Sequence, residues 1–244
     1  MLPIQPQETM IDLKILAYEE TPLGPLCLRR RKTLSEPRQW VTEVTLNHEF
    51  LMSSLHTDSE RALATIPLEQ ATGSGLRVLV GGLGLGYTAH AALAFERVEH
   101  VEVIEYLPQV IGWLRDEMTP LAEELNDSNR LNVSQGDIFE FLLAEPTQRR
   151  FDVILIDVDH SPEDQLAKKH DSFYQVDGLR RAAAHLTEQG SFALWSYDRH
   201  TPLWDAMQQV FASSTAHPIT YYNQHVHESF TDWLYVGTMT LKND

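Results

Sequence analysis

The chain has 244 residues, 43% apolar and 22% charged, with 19 basic against 35 acidic side chains and a formal charge of -16. No stretch approaches the roughly 18 consecutive apolar residues of a membrane span, and a chain this acidic meets net repulsion from DNA or RNA. Its length suits one main domain with a small appendage, large enough to bury a substantial core.

The start, MLPIQPQETMIDLK, carries neither a basic segment followed by an apolar run nor an Arg-rich amphipathic pattern, so no targeting segment is expected. The single cysteine, Cys27, has no partner for an internal disulfide or a Cys-based zinc site, which fits a reducing compartment. A soluble cytoplasmic protein is the expectation. The acidic field favours cationic small molecules as partners. The basic run Leu28 to Lys32 falls in a predicted hairpin strand, where a solvated face or an internal anion contact accounts for it.

In chain order, two partly alternating runs between residues 13 and 31 flank the turn signal Thr21-Pro22-Leu23-Gly24-Pro25 and predict a β-hairpin. A second strand pair is expected at Gln39 to Leu46 and around Phe50 to Met52. Residues 1–56 are thus read as an N-terminal antiparallel β unit, and residues 57–244 as the main domain. A helix opens at Thr57 or Asp58, presents Ala62, Leu63 and Ile66, and is expected to end or bend at Pro67.

Strands and helices then alternate. The predicted strands are Val78 to Val80, His100 to Ile104, Leu131 to Ser134, Phe151 to Ile156 and Ser191 to Ser196. Helices are predicted near 87–95, 108–118, 121–125, 138–144, 173–186 and 202–211. Two further strands, Ile219 to Asn223 and Trp233 to Leu241, joined by about nine residues, read as an antiparallel edge. Near-continuous apolar strands alternating with helices predict a mostly parallel sheet covered on both faces.

The stretch RVLVGGLGLGYT, residues 77–88, is a buried strand running into Gly82, Gly84 and Gly86 and then a helix. Such a loop lets a nucleotide approach the backbone, although glycine turns also serve only to pack a helix on a sheet. Ligands of open α/β sheets bind outside the carboxyl ends of the strands, and here those ends are acidic. Glu105 follows the loop at about 20 residues, the spacing of a ribose-binding carboxylate; the alternative is a polar strand cap. Asp137, in the turn before Ile138, suits hydrogen bonding to an adenine amine or capping of the following helix. Asp157 closes the most apolar strand. A dinucleotide would also fit the loop and the first carboxylate.

The order of elements resembles the seven-stranded fold of S-adenosylmethionine-dependent transferases. FDVILIDVDHSPED, residues 151–164, followed by SFYQVDGLRRAAAHLTEQGSFALWS, residues 172–196, makes the chain similar to the spermidine synthase family, as do the leading β unit and the GGLGLG loop. The resemblance implies a Rossmann-like, mostly parallel seven-stranded sheet with an antiparallel edge, and transfer of an aminopropyl group to a small cationic amine. Gly82, Gly84 and Gly86 would line the arm of S-adenosylmethionine or its decarboxylated form; Glu105 would hold the ribose, and Asp137 with Ile138 the adenine. Asp157 and Asp159 would face the sulfonium and the acceptor amine, and the family's β unit implies a possible homodimer.

Within that turn His160 is either a general base or a hydrogen-bonded turn residue. Tyr174 and Trp195 line the acceptor pocket or belong to the packing. His225, His227 and Glu228 lie in a loop with no second spaced pair, so no metal site is expected. The family carries an aspartate where this loop has Gly84 and a tyrosine in the helix near Ser59 and Glu60. A small-molecule methyltransferase on the same fold and a non-catalytic binder of an adenosyl cofactor are therefore the alternatives.

Overall fold

The computed structural model describes residues 12–34, 36–158, 172–196, 198–224 and 227–240. Contacts divide the chain into two compact units, Met1–Leu55 and His56–Asp244.

The first unit is a four-stranded antiparallel meander of β1 (Leu13–Thr21), β2 (Gly24–Lys32), β3 (Trp40–Leu46) and β4 (Glu49–Ser53). The predicted hairpin closes at the Thr21↔Gly24 pair, where the Thr21 hydroxyl donates to the Gly24 carbonyl at 2.7 Å. The basic run proves to be an internal charge contact. Arg29 and Arg31, two apart and hence on one face of β2, pair with the two oxygens of Glu43 on β3 at 3.0 and 2.7 Å. Glu43 is only 3% exposed.

Among the described residues, the second unit is a seven-stranded sheet flanked by seven helices. The strands are β5 (Leu76–Gly81), β6 (Val98–Glu105), β7 (Leu131–Gln135), β8 (Phe151–Ile156), β9 (Leu186–Ser196), β10 (Ser213–Asn223) and β11 (Glu228–Thr238), and the helices α1 (Asp58–Gln70), α2 (Tyr87–Leu93), α3 (Pro108–Arg115), α4 (Ala122–Asn126), α5 (Ile138–Leu143), α6 (Val176–Ala183) and α7 (Pro202–Val210). Their spatial order is β10-β11-β9-β8-β5-β6-β7. The five strands β5 to β9 pair in parallel, and β11 and β10 add antiparallel. This is the expected architecture. Val78, Leu79 and Val80 of the central strand are fully buried, as β-branched and apolar residues must be when helices cover both faces. On one face Phe173, Leu179, Phe192, Met207 and Tyr235 form an aromatic-rich core under α5, α6 and α7.

Four details depart from the sequence reading. Helix α1 runs on through Pro67 to Gln70, so the proline neither ends it nor sets its limit. Thr57 occupies the N-cap position but makes no side-chain cap bond; its hydroxyl accepts from Arg61 Nε instead, at 3.1 Å. Helix α6 opens at Val176, because Ser172 and Phe173 fold back onto Gly178, where a Cβ would lie 2.3 Å from the Ser172 carbonyl oxygen. The edge hairpin is longer and its turn tighter than expected, with pairing continuous from Ser213↔Thr238 to Asn223↔Glu228.

Candidate functional site

The strand order reverses between β5 and β8: from β5 the chain moves outward to β6 and β7, then returns to pair β8 on the other side. At such a switch point the connections diverge and leave a crevice at the carboxyl ends of the strands. Both flanking strands deliver predicted residues there, the glycine loop from β5 and Asp157 from β8.

The loop is built by backbone geometry. Gly82, Gly84 and Gly86 have φ of 95, 53 and 90°, values that disfavour any side chain with a Cβ. Asp157 N–H donates to the Gly81 carbonyl at 2.8 Å, and Gly82 N–H to the Ile104 carbonyl at 2.9 Å, so the loop root is stitched to both neighbouring strands.

Glu105 ends β6 and is 7% exposed. Its Oε2 accepts from Leu83 N–H at 2.8 Å and its Oε1 from Leu107 N–H at 2.7 Å. The carboxylate thus holds the glycine loop and the entry to α3, with the backbone of Gly84 and Tyr106 also donating toward it. Burial pushes its pKa above the ordinary carboxylate range, and the backbone donors of Leu107 and Leu83 oppose the shift.

Asp137 is the N-cap of α5, its Oδ1 accepting from Phe139 N–H at 2.9 Å and Glu140 N–H at 3.2 Å. The capping alternative therefore describes one of its oxygens. Ile138, next in the chain, is 4% exposed and packs where a Cβ on Gly81 would stand.

Asp157 sits just beyond β8. Its Oδ2 accepts from the Thr88 hydroxyl at 2.6 Å, and that same hydroxyl lies 2.9 Å from the Glu60 carbonyl oxygen in the first turn of α1. Burial pushes the Asp157 carboxyl up to about 6; the Thr88 bond opposes this, and the charge of Glu105 adds to it. Glu60 goes further, to about 7, through burial and then the repulsion of Asp157. Two carboxyl groups near neutrality thus stand beside the loop.

The edge hairpin brings further groups toward Glu60. Asp232 and Tyr221 fall on one face of β10 and β11, since Ile219 pairs Asp232 and Tyr221 pairs Phe230. The Tyr221 hydroxyl is shifted upward by burial and then by the charges of Asp232, Glu60 and Asp58. Its ring stacks between His56 at 4.7 Å and Phe230 at 5.9 Å.

In the sequence Glu60 stands out only as a place near which the family has a tyrosine, and Thr88, Tyr221 and Asp232 do not stand out as site residues. The one local signal was a carboxylate in a helix's opening turn, which also occurs wherever the helix dipole favours negative charge. Tyr174 is brought into the aromatic core, 8% exposed and edge-on to Phe139 at 5.8 Å and Phe173 at 5.2 Å. Trp195 is half-buried opposite Leu234, on the face of β9 away from the aromatic core. Asp159, His160 and His225 lie outside the described residues. Among the described residues no three metal-ligating side chains cluster.

A model of the spermine/spermidine synthase domain matches residues 58–229. The chain belongs to this family. Relatives include a polyamine aminopropyltransferase 2 of Bacillus cereus, 31% identical over 122 residues, covering 49% of this chain and 32% of the relative. A polyamine aminopropyltransferase of Ruegeria sp. is 29% identical over 156 residues, covering 62% and 52%. One from Synechococcus sp. is 24% identical over 214 residues, covering 82% and 64%. The chain therefore spans between about a third and two thirds of these relatives' lengths. Among solved structures, a spermidine synthase in complex with the transition-state analogue AdoDATO superposes with a TM-score of 0.75 at 15% identity, covering 94% of this chain and 75% of its own. The Thermotoga maritima spermidine synthase gives 0.72, also at 15%, covering 94% and 73%. Those two likenesses establish the spermidine synthase fold. No helix of the described residues is long and apolar enough to cross a membrane.

Proposed function

We propose that the chain is an aminopropyltransferase that uses decarboxylated S-adenosylmethionine to alkylate a small cationic amine. The observation that carries this reading is the pair of carboxyl groups, Asp157 at about 6 and Glu60 at about 7, placed beside the glycine loop. The residues present fit an adenosyl donor: the loop has no Cβ at its three positive-φ positions, and Glu105 ends the adjacent strand as a buried carboxylate. Gly82, Gly84 and Gly86 would hold the donor's arm, Glu105 the ribose, and Asp137 with Ile138 the adenine. When bound, the donor supplies a carbon made electrophilic by the neighbouring sulfonium.

The remaining chemistry belongs to this chain's side chains. A primary amine in water is protonated, and only its neutral form has the lone pair to attack carbon. A carboxylate raised toward neutrality is a better proton acceptor than an ordinary one, and desolvation of the ammonium narrows the remaining gap. Asp157 would orient the amine and take its proton, with Asp159, two residues on in the sequence, as a second carboxylate and His160 as a further base. Glu60, Asp232 and the Tyr221 hydroxyl would bind the distal positive charge of the acceptor, with Trp195 walling the pocket on the same face. As nitrogen bonds to carbon, the carbon–sulfur bond breaks toward sulfur and neutralises it, leaving methylthioadenosine and the extended amine.

Gly84 favours a second reading. With no carboxylate in the loop to meet a terminal amine, the loop also admits a donor that keeps its own carboxylate, which is methyl transfer from S-adenosylmethionine. Mass spectrometry of products from both donors and a panel of diamines separates the two. An aminopropyl gain with the decarboxylated donor is expected; a gain of one methyl with the carboxylated donor selects the second reading, and no product with either overturns both. The free thiol of Cys27 supports a reducing, cytoplasmic setting, and a homodimer belongs to the same reading, checked by light scattering.

A further inference from the structure

Thr88 is the second residue of α2, 1% exposed, and is neither a loop glycine nor a strand-end carboxylate. Its hydroxyl bridges two elements far apart in sequence, Asp157 Oδ2 at 2.6 Å and the Glu60 carbonyl at 2.9 Å. A hydroxyl has a single proton to give. With Asp157 ionised, that proton goes to Oδ2. With Asp157 protonated, the carboxyl donates to Thr88 and the Thr88 proton turns to the Glu60 carbonyl. The arrangement therefore gives both states of Asp157 a partner and fixes the same oxygen in each.

We propose that Thr88 is the positioning residue of Asp157: it secures Oδ2 against α1 and leaves Oδ1 to orient the attacking amine. This rests on the reading of Asp157 as the group that meets the amine. Packing holds Thr88 in place. α2 begins directly from the glycine loop, and Arg61 of α1 lies over the Tyr87 ring at 4.9 Å, so the two helices bracket the hydroxyl. Among the described residues, the charged groups acting on Asp157 and its neighbour are Glu105 at the end of β6, Glu60 on α1 and Asp232 on β11. All three are acidic, so Thr88 is the neutral donor that favours the ionised carboxylate against them.

The test compares Thr88→Val, which keeps the shape, with Thr88→Ser, which keeps the hydroxyl. Two readouts are followed. Carbon-13 carboxyl titration of aspartate-labelled protein, with Asp157→Asn assigning the resonance, reports the contact without any turnover. The pH profile of kcat/KM reports its use. In Thr88→Val the Asp157 resonance and the acidic limb should both move up by about one pH unit, lowering kcat/KM about fivefold at pH 6 and little at pH 9. Thr88→Ser should restore both. A Thr88→Val protein whose resonance titrates at the wild-type pH overturns the proposal, even if its rate falls. A wild-type protein that transfers no group refutes the proposed function, while the titration still decides whether Thr88 controls Asp157.

Discussion

A Cβ placed on Gly82 would stand 2.1 Å from the backbone carbonyl oxygen of Asp157. The glycine loop of β5 and the end of β8 are therefore in direct backbone contact across the switch point. Neither side can yield, because Asp157 N–H is bonded to Gly81 and Gly82 N–H to Ile104. Gly82→Ala should lose at least about 1–3 kcal/mol from its φ alone, with the clash added, and should abolish binding of an adenosyl probe. Thermal unfolding and calorimetry with methylthioadenosine check this; wild-type values for both would mean the loop has room the structure denies it.

Glu105→Gln tests the carboxylate that ties the loop to α3. A carboxamide has one acceptor oxygen, so either Leu83 N–H or Leu107 N–H would face an NH2 group. A cost of about 1–3 kcal/mol in stability is expected for a buried donor left unmatched. Methylthioadenosine affinity should fall about tenfold or more, because the loop and the ribose acceptor are disturbed together. Denaturant titration separates the two effects, since a variant with normal stability and weak binding would make Glu105 a ligand group only.

Glu60 sets a pH dependence of stability. Its folded value of about 7 lies above the ordinary 4.5, so between these values the folded chain binds a proton that the unfolded chain has released. Stability from this group is full below pH 4.5 and is lost as pH rises through 7. Asp157, raised from 3.8 to about 6, acts in the same direction. Glu60→Gln should be more stable than wild type at pH 8 by about 1–3 kcal/mol and nearly equal to it at pH 4.5. Urea denaturation at the two pH values decides; a difference that grows toward acid pH would reverse the assigned sign.

In the N-terminal sheet, Glu43→Ala removes the shared partner of Arg29 and Arg31. The arginine side chains are 35% and 32% exposed, against 4% for that of Glu43. They can recover hydration, so the expected loss is about 1–3 kcal/mol, below the range for a fully buried pair. A double-mutant cycle with Arg31→Met measures the coupling, and a value near zero would reduce Glu43 to a packing residue.

Much of this molecule is legible residue by residue. The run Val78-Leu79-Val80 into Gly82, Gly84 and Gly86, and the acidic ends at Glu105 and Asp157, follow from apolar periodicity and from backbone requirements that act within a few residues. The strand order does not follow in this way: right-handed crossovers limit the topologies without choosing that β8 pairs β5. Segments that balance local against distant contacts read less well. Pro67 lies inside α1, whose far turns are held by burial of Leu63, Ala64 and Leu68. Tyr174 looks like the start of a helix until Gly178 lets the preceding chain fold back and draw its ring into the core.

The sequence by itself determined the glycine loop after β5 and the carboxylates Glu105 and Asp157 at the ends of β6 and β8, since each is written in one continuous stretch. Only the tertiary structure decided what faces Asp157. Thr88 lies 69 residues from it and 28 from Glu60, while Tyr221 and Asp232 come to Glu60, not to Asp157, from a hairpin added antiparallel at the edge. Hydrogen bonds and burial between such distant residues depend on how helices and strands stack, and burial is what raises Glu60 and Asp157 toward neutrality.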